Sequence, residues 1–230
     1  MAQVQDSFVL TGNFLSAVLK LRYRDSVGTA VRISIGESYF LLTANHLVST
    51  LEAGDRIGLR RNDDWHLFKV TELARDLTTD LCVMSLALNL MGGLSIEQLI
   101  GSTLIPGQRV LACGFPLGFE QSYGMDDQDI PMPLVKAGVF SGIVRRDGRQ
   151  ERFFDLHNNV GFSGGPIYYW DLQDHAVKVA GIVSGYKYDA PNYVRERING
   201  KETVTDRWTR DNSGYTVAFH PKELIAKFGV

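Results

Sequence analysis

The chain has 230 residues, of which 44% are hydrophobic, and its 24 Lys/Arg and 26 Asp/Glu give a formal net charge of −2. This length suits one large all-β domain or two small barrels that share a core. The near-neutral charge gives no basic surface for nucleic acid, and no run of about 18 apolar residues exists to cross a membrane.

Short alternating or β-branched segments separated by turn clusters recur along the whole chain, which favours barrels or sandwiches over βαβ units. The first half is predicted to hold strands near 14–21, 28–35, 39–43, 56–60, 65–73 and 81–86. A Gly-containing connection over 89–103 precedes a second set near 108–114, 135–144, 152–156, 165–170, 176–184 and 214–219. The chain closes on a predicted short helix after Pro221, whose apolar residues are three and four apart.

One stretch of the second half is suited to nucleophilic chemistry. Ser163 lies within Gly161-Phe162-Ser163-Gly164-Gly165, where small neighbours leave its hydroxyl accessible and let backbone N–H groups turn toward one point. Upstream, His46 ends an apolar strand and Asp80 precedes another. The order His, Asp, Ser, each beside an apolar strand, is the set that acyl transfer by an activated serine requires.

Six segments of the chain are similar to segments of a known protein family: GTAVRI (28–33), LLTANHLV (41–48), TTDLCVMSL (78–86), GQRVLACGFPLG (107–118), GFSGGPIYY (161–169) and GIVSGY (181–186). Over residues 20–228 the chain resembles chymotrypsin-fold serine peptidases, and is most similar to the trypsin-like group that includes the HtrA/Deg proteases. The resemblance implies an all-β fold of two six-stranded antiparallel barrels packed face to face, with a short C-terminal helix. Residues 1–95 would form the first barrel and 96–230 the second.

The same resemblance assigns roles to individual residues. It implies that His46 is the base, Asp80 its orienting acid and Ser163 the nucleophile, with the N–H groups of Gly161 and Ser163 as the oxyanion hole. The primary substrate pocket would be lined by His157, Ser184, Gly185 and Tyr186. An imidazole rather than a carboxylate at position 157 disfavours Lys or Arg before the cut. Phe162 departs from the family, because relatives carry a polar residue at this position.

Three alternatives to a serine peptidase would use similar residues. A nucleophile elbow of α/β-hydrolases needs a helix after the serine, whereas Pro166 and a β-prone run follow here. A catalytically silent protease fold used as a binding module would usually have lost one of the three residues. An esterase or acyl-transfer enzyme with the same residues stays open.

Two cysteines, Cys82 and Cys113, lie in apolar runs, so we expect buried free thiols rather than a disulfide framework. The N-terminus, Met1 to Asp6, lacks the pattern of a signal peptide. Both observations favour a cytoplasmic protein. The dispersed histidines offer no metal motif, and the expected chemistry needs no cofactor. We expect a protein or peptide substrate, with partner or regulator contacts through loops 119–133 and 186–212.

Overall fold

A computed structural model describes residues 8–61, 63–87, 92–102, 104–122, 131–188, 192–198, 201–209 and 212–226. It confirms the predicted all-β architecture of two antiparallel six-stranded barrels and the short C-terminal helix. Within those residues, no helix is both long and apolar enough to span a membrane.

The first barrel is a closed ring of six strands in the order β1-β4-β5-β6-β3-β2, because β1 also pairs with β2. A short strand, β7, adds to β2 in parallel. The bounds are β1 Val18–Tyr23, β2 Ser26–Ile35, β3 Ser38–Ala44, β4 Arg56–Arg61, β5 Asp64–Asp76, β6 Leu81–Leu86 and β7 Leu94–Ser95.

The second barrel closes in the order β11-β12-β17-β14-β13-β8, and two smaller two-stranded sheets, β9 with β10 and β15 with β16, lie outside it. The bounds are β8 Arg109–Gly114, β9 Gln121–Ser122, β10 Pro131–Met132, β11 Leu134–Arg146, β12 Arg149–Asp155, β13 Pro166–Asp171, β14 Ala176–Tyr188, β15 Asn192–Ile198, β16 Lys201–Thr209 and β17 Asn212–Phe219.

Apolar residues fill both barrels and the space between them. Because successive side chains of a strand face opposite sides, β3 buries Leu41 inside the first barrel and Leu42 in a cluster shared with the second. Likewise β8 buries Ala112 inside the second barrel and Cys113 in the shared cluster. Burial on both faces explains why these strands appear in the sequence as continuous apolar runs.

In the described part of the chain, three short helices flank the barrels: α1 Gly12–Ser16, α2 Ile96–Leu99 and α3 Lys222–Ala226. The prediction of a strand from residue 14 is wrong at its start, because α1 turns Phe14 edge-on against Tyr168 of the other barrel, with ring centroids 5.3 Å apart. The sequence also did not predict α2, which lies in the 89–103 connection and begins with a capping box formed by Ser95 and Gln98.

The two predicted loops are only partly described. Within 186–212, strands β15 and β16 pair antiparallel from Asn192–Thr209 to Ile198–Lys201 and form a hairpin. Its turn residues and positions 189–191, 210 and 211 lie outside the described residues, as do positions 123–130 of the 119–133 loop. Glu120, at the start of that loop, accepts hydrogen bonds from Lys20 (2.9 Å) and Arg60 (3.3 Å) of the first barrel.

Candidate active site

A cavity of about 570 Å³ lies where the two barrels meet, and it contains most of the residues predicted to be functional. The first barrel contributes the β1–β2 turn and the short 3₁₀ helix that follows β3, while the second contributes the segment before β13 and the end of β14. The lining residues are Asp25, Ser26, Val27, His46, Leu47, Asn158, Asn159, Val160, Gly161, Ser163, Ser184, Gly185 and Tyr186.

His46 and Asp80 form a hydrogen-bonded pair at this cavity. The His46 Nδ1 atom lies 2.7 Å from Asp80 Oδ2, and the His46 backbone N–H donates to Asp80 Oδ1 at 2.8 Å. The His46 side chain is 47% exposed and that of Asp80 only 23%. The imidazole therefore faces the cavity while the carboxylate lies behind it.

The electrostatics of Asp80 favour its charged form. Burial opposes ionisation, but hydrogen bonds from His46 and Ser184 outweigh it and keep the pKa of Asp80 below its usual value. The Ser184 hydroxyl donates to Asp80 Oδ2 at 2.6 Å across the boundary between the barrels. The sequence had placed Ser184 only on the pocket wall, and this second contact could not be read from it.

The 3₁₀ helix that carries His46, Asn45–Val48, is held from behind by Arg75. Arg75 Nε donates to Asn45 Oδ1 at 3.1 Å, and its Nη2 donates to the carbonyls of Val48 (2.7 Å) and Leu51. Because the Arg75 guanidinium donates to three oxygen acceptors, it holds this helix against β5. Sequence reasoning missed Arg75, whose position in a strand gave no signal of this role.

Ser163 lies on a tight turn whose peptide groups are fixed by their carbonyls. The Val160 carbonyl accepts from Leu117 N–H at 2.8 Å, and the Phe162 carbonyl accepts from Gly165 N–H at 2.8 Å. The N–H groups of Gly161 and Ser163 belong to these same two peptide groups. Since the N–H of a trans peptide points opposite to its carbonyl, both N–H groups point away from the residues that hold the carbonyls, Leu117 and Gly165. Neither N–H has a hydrogen-bond partner within the described residues.

The turn is attached to the first barrel through Thr29. The Thr29 hydroxyl donates to the Gly161 carbonyl at 2.7 Å, and the Thr29 backbone N–H donates to the Ser163 carbonyl at 2.9 Å. Gly161 and Gly164 have φ of +105° and +82°, in the region that glycine adopts without strain. The Ser163 hydroxyl donates to the Ser184 carbonyl at 3.3 Å, so the serine shares the cavity with His46 while its hydroxyl is turned toward β14.

Phe162, the departure from the family pattern, has no exposed surface and belongs to the core of the second barrel. Its ring lies 5.3 Å from the ammonium group of Lys136. Hydrophobic burial therefore fixes the residue before the serine here.

The predicted pocket residues divide into two groups. Ser184, Gly185 and Tyr186 line the cavity, as does Gly161. His157 is not among the lining residues: its side chain is exposed, and the neighbouring Asn158 is buried at the cavity instead. The two residues are consecutive in the segment that follows β12, and the family likeness does not distinguish which of them is buried. Asn158 Nδ2 donates to the Gly185 carbonyl at 3.3 Å.

The cavity offers protein groups for acid–base and nucleophilic chemistry. Within the described residues, no three His, Cys, Asp or Glu side chains come close enough to hold a metal ion. The groups that converge are an imidazole paired with a carboxylate, a serine hydroxyl, and the two N–H groups of the serine turn.

Comparison with known proteins identifies relatives of this arrangement. A model of the trypsin-like peptidase domain matches residues 28–177. No curated protein matches the chain. Among solved structures, the active form of the Rv3671c protease from M. tuberculosis is 15% identical with a TM-score of 0.61, over 94% of this chain and 81% of the other.

Two further solved structures are similar. The HtrA-type protease AlgW with a tripeptide is 20% identical, with a TM-score of 0.61 over 94% of this chain. The serine endoprotease from Yersinia pestis is 20% identical, with a TM-score of 0.57 over 96% of this chain and 66% of the other. The chain spans only 60% of the length of AlgW. At these identities the likeness establishes the fold alone.

Proposed function

This chain belongs to the trypsin-like peptidase family and is a protease, and on that premise we propose that it is a serine endopeptidase acting through an acyl-enzyme intermediate. The observation that carries the proposal is the His46–Asp80 pair at 2.7 Å, on the same cavity as Ser163 and the two N–H groups of its turn. Each group that acyl transfer needs is supplied by the chain itself.

In the proposed reaction, the Ser163 hydroxyl turns from the Ser184 carbonyl toward His46 and attacks the substrate carbonyl as Nε2 of His46 takes its proton. Asp80 holds the Nδ1 proton and stabilises the imidazolium that forms. The oxyanion accepts hydrogen bonds from the Gly161 and Ser163 N–H groups. His46 then protonates the leaving amine, and water attacks the acyl-enzyme by the reverse sequence, which regenerates the serine.

The lining of the cavity supports a preference against Lys or Arg before the scissile bond. Among the described residues, its second-barrel wall carries Asn158, Ser184 and Tyr186 and brings no carboxylate, while Asp25 lies on an exposed turn of the first barrel. A buried cation without a carboxylate partner is costly. We therefore propose that the substrate is a protein or peptide with a small or apolar residue at this position.

The two cysteines bear on the cellular compartment in which the protein works. Burial raises the pKa of the Cys82 thiol to about 11 and also raises that of Cys113, so both thiols are inert. Two free buried cysteines support a reducing, cytoplasmic location.

We also propose that residues 1–95 and 96–230 are the two units that assemble the site, and that loops 119–133 and 186–212 contact partners or regulators.

The test is a fluorophosphonate probe combined with digestion of a denatured protein. Mass spectrometry should place the adduct on Ser163, and the digest should contain internal cleavages. An adduct on Ser163 with ester hydrolysis but uncut protein would assign an esterase instead. No adduct on the folded protein would favour a binding module and overturn the proposal.

A further inference from the structure

A second cavity, of about 430 Å³, lies between the barrels and does not include the proposed catalytic residues. It is enclosed by the β11–β12 turn, by the two residues that precede Asp80, and by the start of α3. The lining residues are Thr78, Thr79, Asp147, Gly148, Arg149, Gln150, Arg152, Phe219, His220 and Lys222.

The cavity is rich in positive charge that is only partly compensated. Its lining carries three cations, Arg149, Arg152 and Lys222, and one carboxylate, that of the exposed Asp147. Arg149 pairs with Glu151 at 3.1 Å. Arg152 donates to the Ala180 carbonyl, and within the described residues neither Arg152 nor Lys222 pairs with a carboxylate. Burial disfavours the charged form of Arg152 and lowers its pKa, as expected where no anion compensates it.

The cavity also offers donors besides its three cations. His220 Nδ1 accepts from the Lys222 backbone N–H at 3.2 Å, which leaves Nε2 to carry the proton. Burial, reinforced by the nearby Arg152 and Lys222, lowers the pKa of His220 to about 3, so this ring is neutral at physiological pH. The Thr79 hydroxyl and Arg149 Nε are buried without a hydrogen-bond partner in the part of the chain that the structure describes.

We propose that this cavity binds the phosphate group of a small ligand. A phosphate presents several strong acceptor oxygens and a charge near −2, which fits a cavity lined by guanidinium, ammonium, hydroxyl and imidazole groups. A buried polar group without a partner is destabilising. The ligand would supply the missing acceptors and the missing negative charge together.

The position of the cavity connects it to the proposed active site. Arg149 donates to the Thr78 carbonyl at 3.2 Å, and Thr79 is adjacent to Asp80. A phosphate bound against Thr79 therefore fixes the turn that holds the acid, and through it the orientation of His46. Binding should raise kcat/KM for peptide hydrolysis without contacting the substrate.

The experiment measures binding by isothermal titration calorimetry, with inorganic phosphate and AMP as probes at constant ionic strength. We expect saturable one-site binding. Thr79→Val should weaken it severalfold while leaving the melting temperature unchanged, because the hydroxyl has no partner among the described residues to lose. Lys222→Gln, at an exposed residue, should weaken binding by about tenfold, the worth of one charge-assisted hydrogen bond.

The matched control is Arg146→Gln, which removes the same charge from the β11–β12 hairpin but does not line the cavity. It should bind both probes as the unmodified protein does. Tighter binding of AMP than of phosphate would assign the site to a phosphate ester, and the reverse order to the free ion. No saturable binding, or equal loss in Arg146→Gln and Lys222→Gln, would overturn the site. Binding that leaves kcat/KM unchanged would overturn the coupling to Asp80.

Discussion

Gly164 is the residue at which a single methyl group should do the most damage near the proposed nucleophile. Its φ is +82°, and a Cβ placed there would lie well inside 3.0 Å of the Thr29 carbonyl and the Thr43 hydroxyl and 3.1 Å from Ala44 N. Two of these obstacles are backbone atoms of the first barrel, which cannot rotate away. Gly164→Ala must therefore push the serine turn away from β2 or distort that strand.

The expected loss of unfolding free energy in Gly164→Ala has two parts, which a matched control variant separates. Gly107 has φ +89°, and a Cβ at this residue would meet no described atom within 4 Å, so Gly107→Ala carries only the left-handed backbone cost of about 1–2 kcal/mol. Gly164→Ala adds an overpacking cost of about 1–3 kcal/mol. Displacement of the adjacent Ser163 by about 1 Å should also reduce kcat by about 10²-fold. Chemical denaturation and peptide hydrolysis measure the two effects.

Two results for Gly164→Ala would contradict this prediction. If Gly164→Ala loses no more unfolding free energy than Gly107→Ala and retains full kcat, the close contact between the serine turn and β2 does not exist in solution. A larger loss of stability with unchanged kcat would show that the turn yields without moving Ser163.

Three further predictions concern the proposed chemistry. Ser163→Ala should lower kcat by about 10⁶-fold without lowering the melting temperature; substantial remaining turnover would exclude this nucleophile. Asp80→Asn should cost about 10⁴-fold near neutral pH by favouring the wrong imidazole tautomer, whereas Asp76→Asn keeps the Oδ1 atom that accepts from Thr78 and should cost little; the opposite ranking would reassign the acid. Reducing agent should leave activity and melting temperature unchanged, since Cys82 and Cys113 are free and buried; a drop in melting temperature would reveal a disulfide.

Much of the barrel architecture could be predicted because it depends on local patterns. Apolar runs such as the one ending at Leu42 mark strands that are buried on both faces, and His46 and Asp80 follow or precede such strands. Their pairing was implied by the family likeness, and the geometry places them in contact. The buried strands and the positions of His46 and Asp80 could therefore be predicted from a few apolar segments and their order along the chain.

The features that escaped prediction depend on contacts between distant segments. Helix α1 forms where Phe14 meets Tyr168 of the other barrel, and Ser184 reaches Asp80 across the barrel boundary. The family likeness suggested His157 for the pocket, whereas Asn158 is the residue at the cavity, where its Nδ2 donates to the Gly185 carbonyl of β14. Neither the likeness nor the local sequence contains this contact between distant segments.

The burial of β3 on both faces has a consequence for control of the enzyme. A strand that supplies Leu41 to one core and Leu42 to another cannot slide or tilt without opening both at once. The shared cluster therefore opposes a hinge motion between the two barrels. If the activity is switched, we expect the change to occur in segments outside the strands, where a turn can be ordered or displaced without exposing the shared interior.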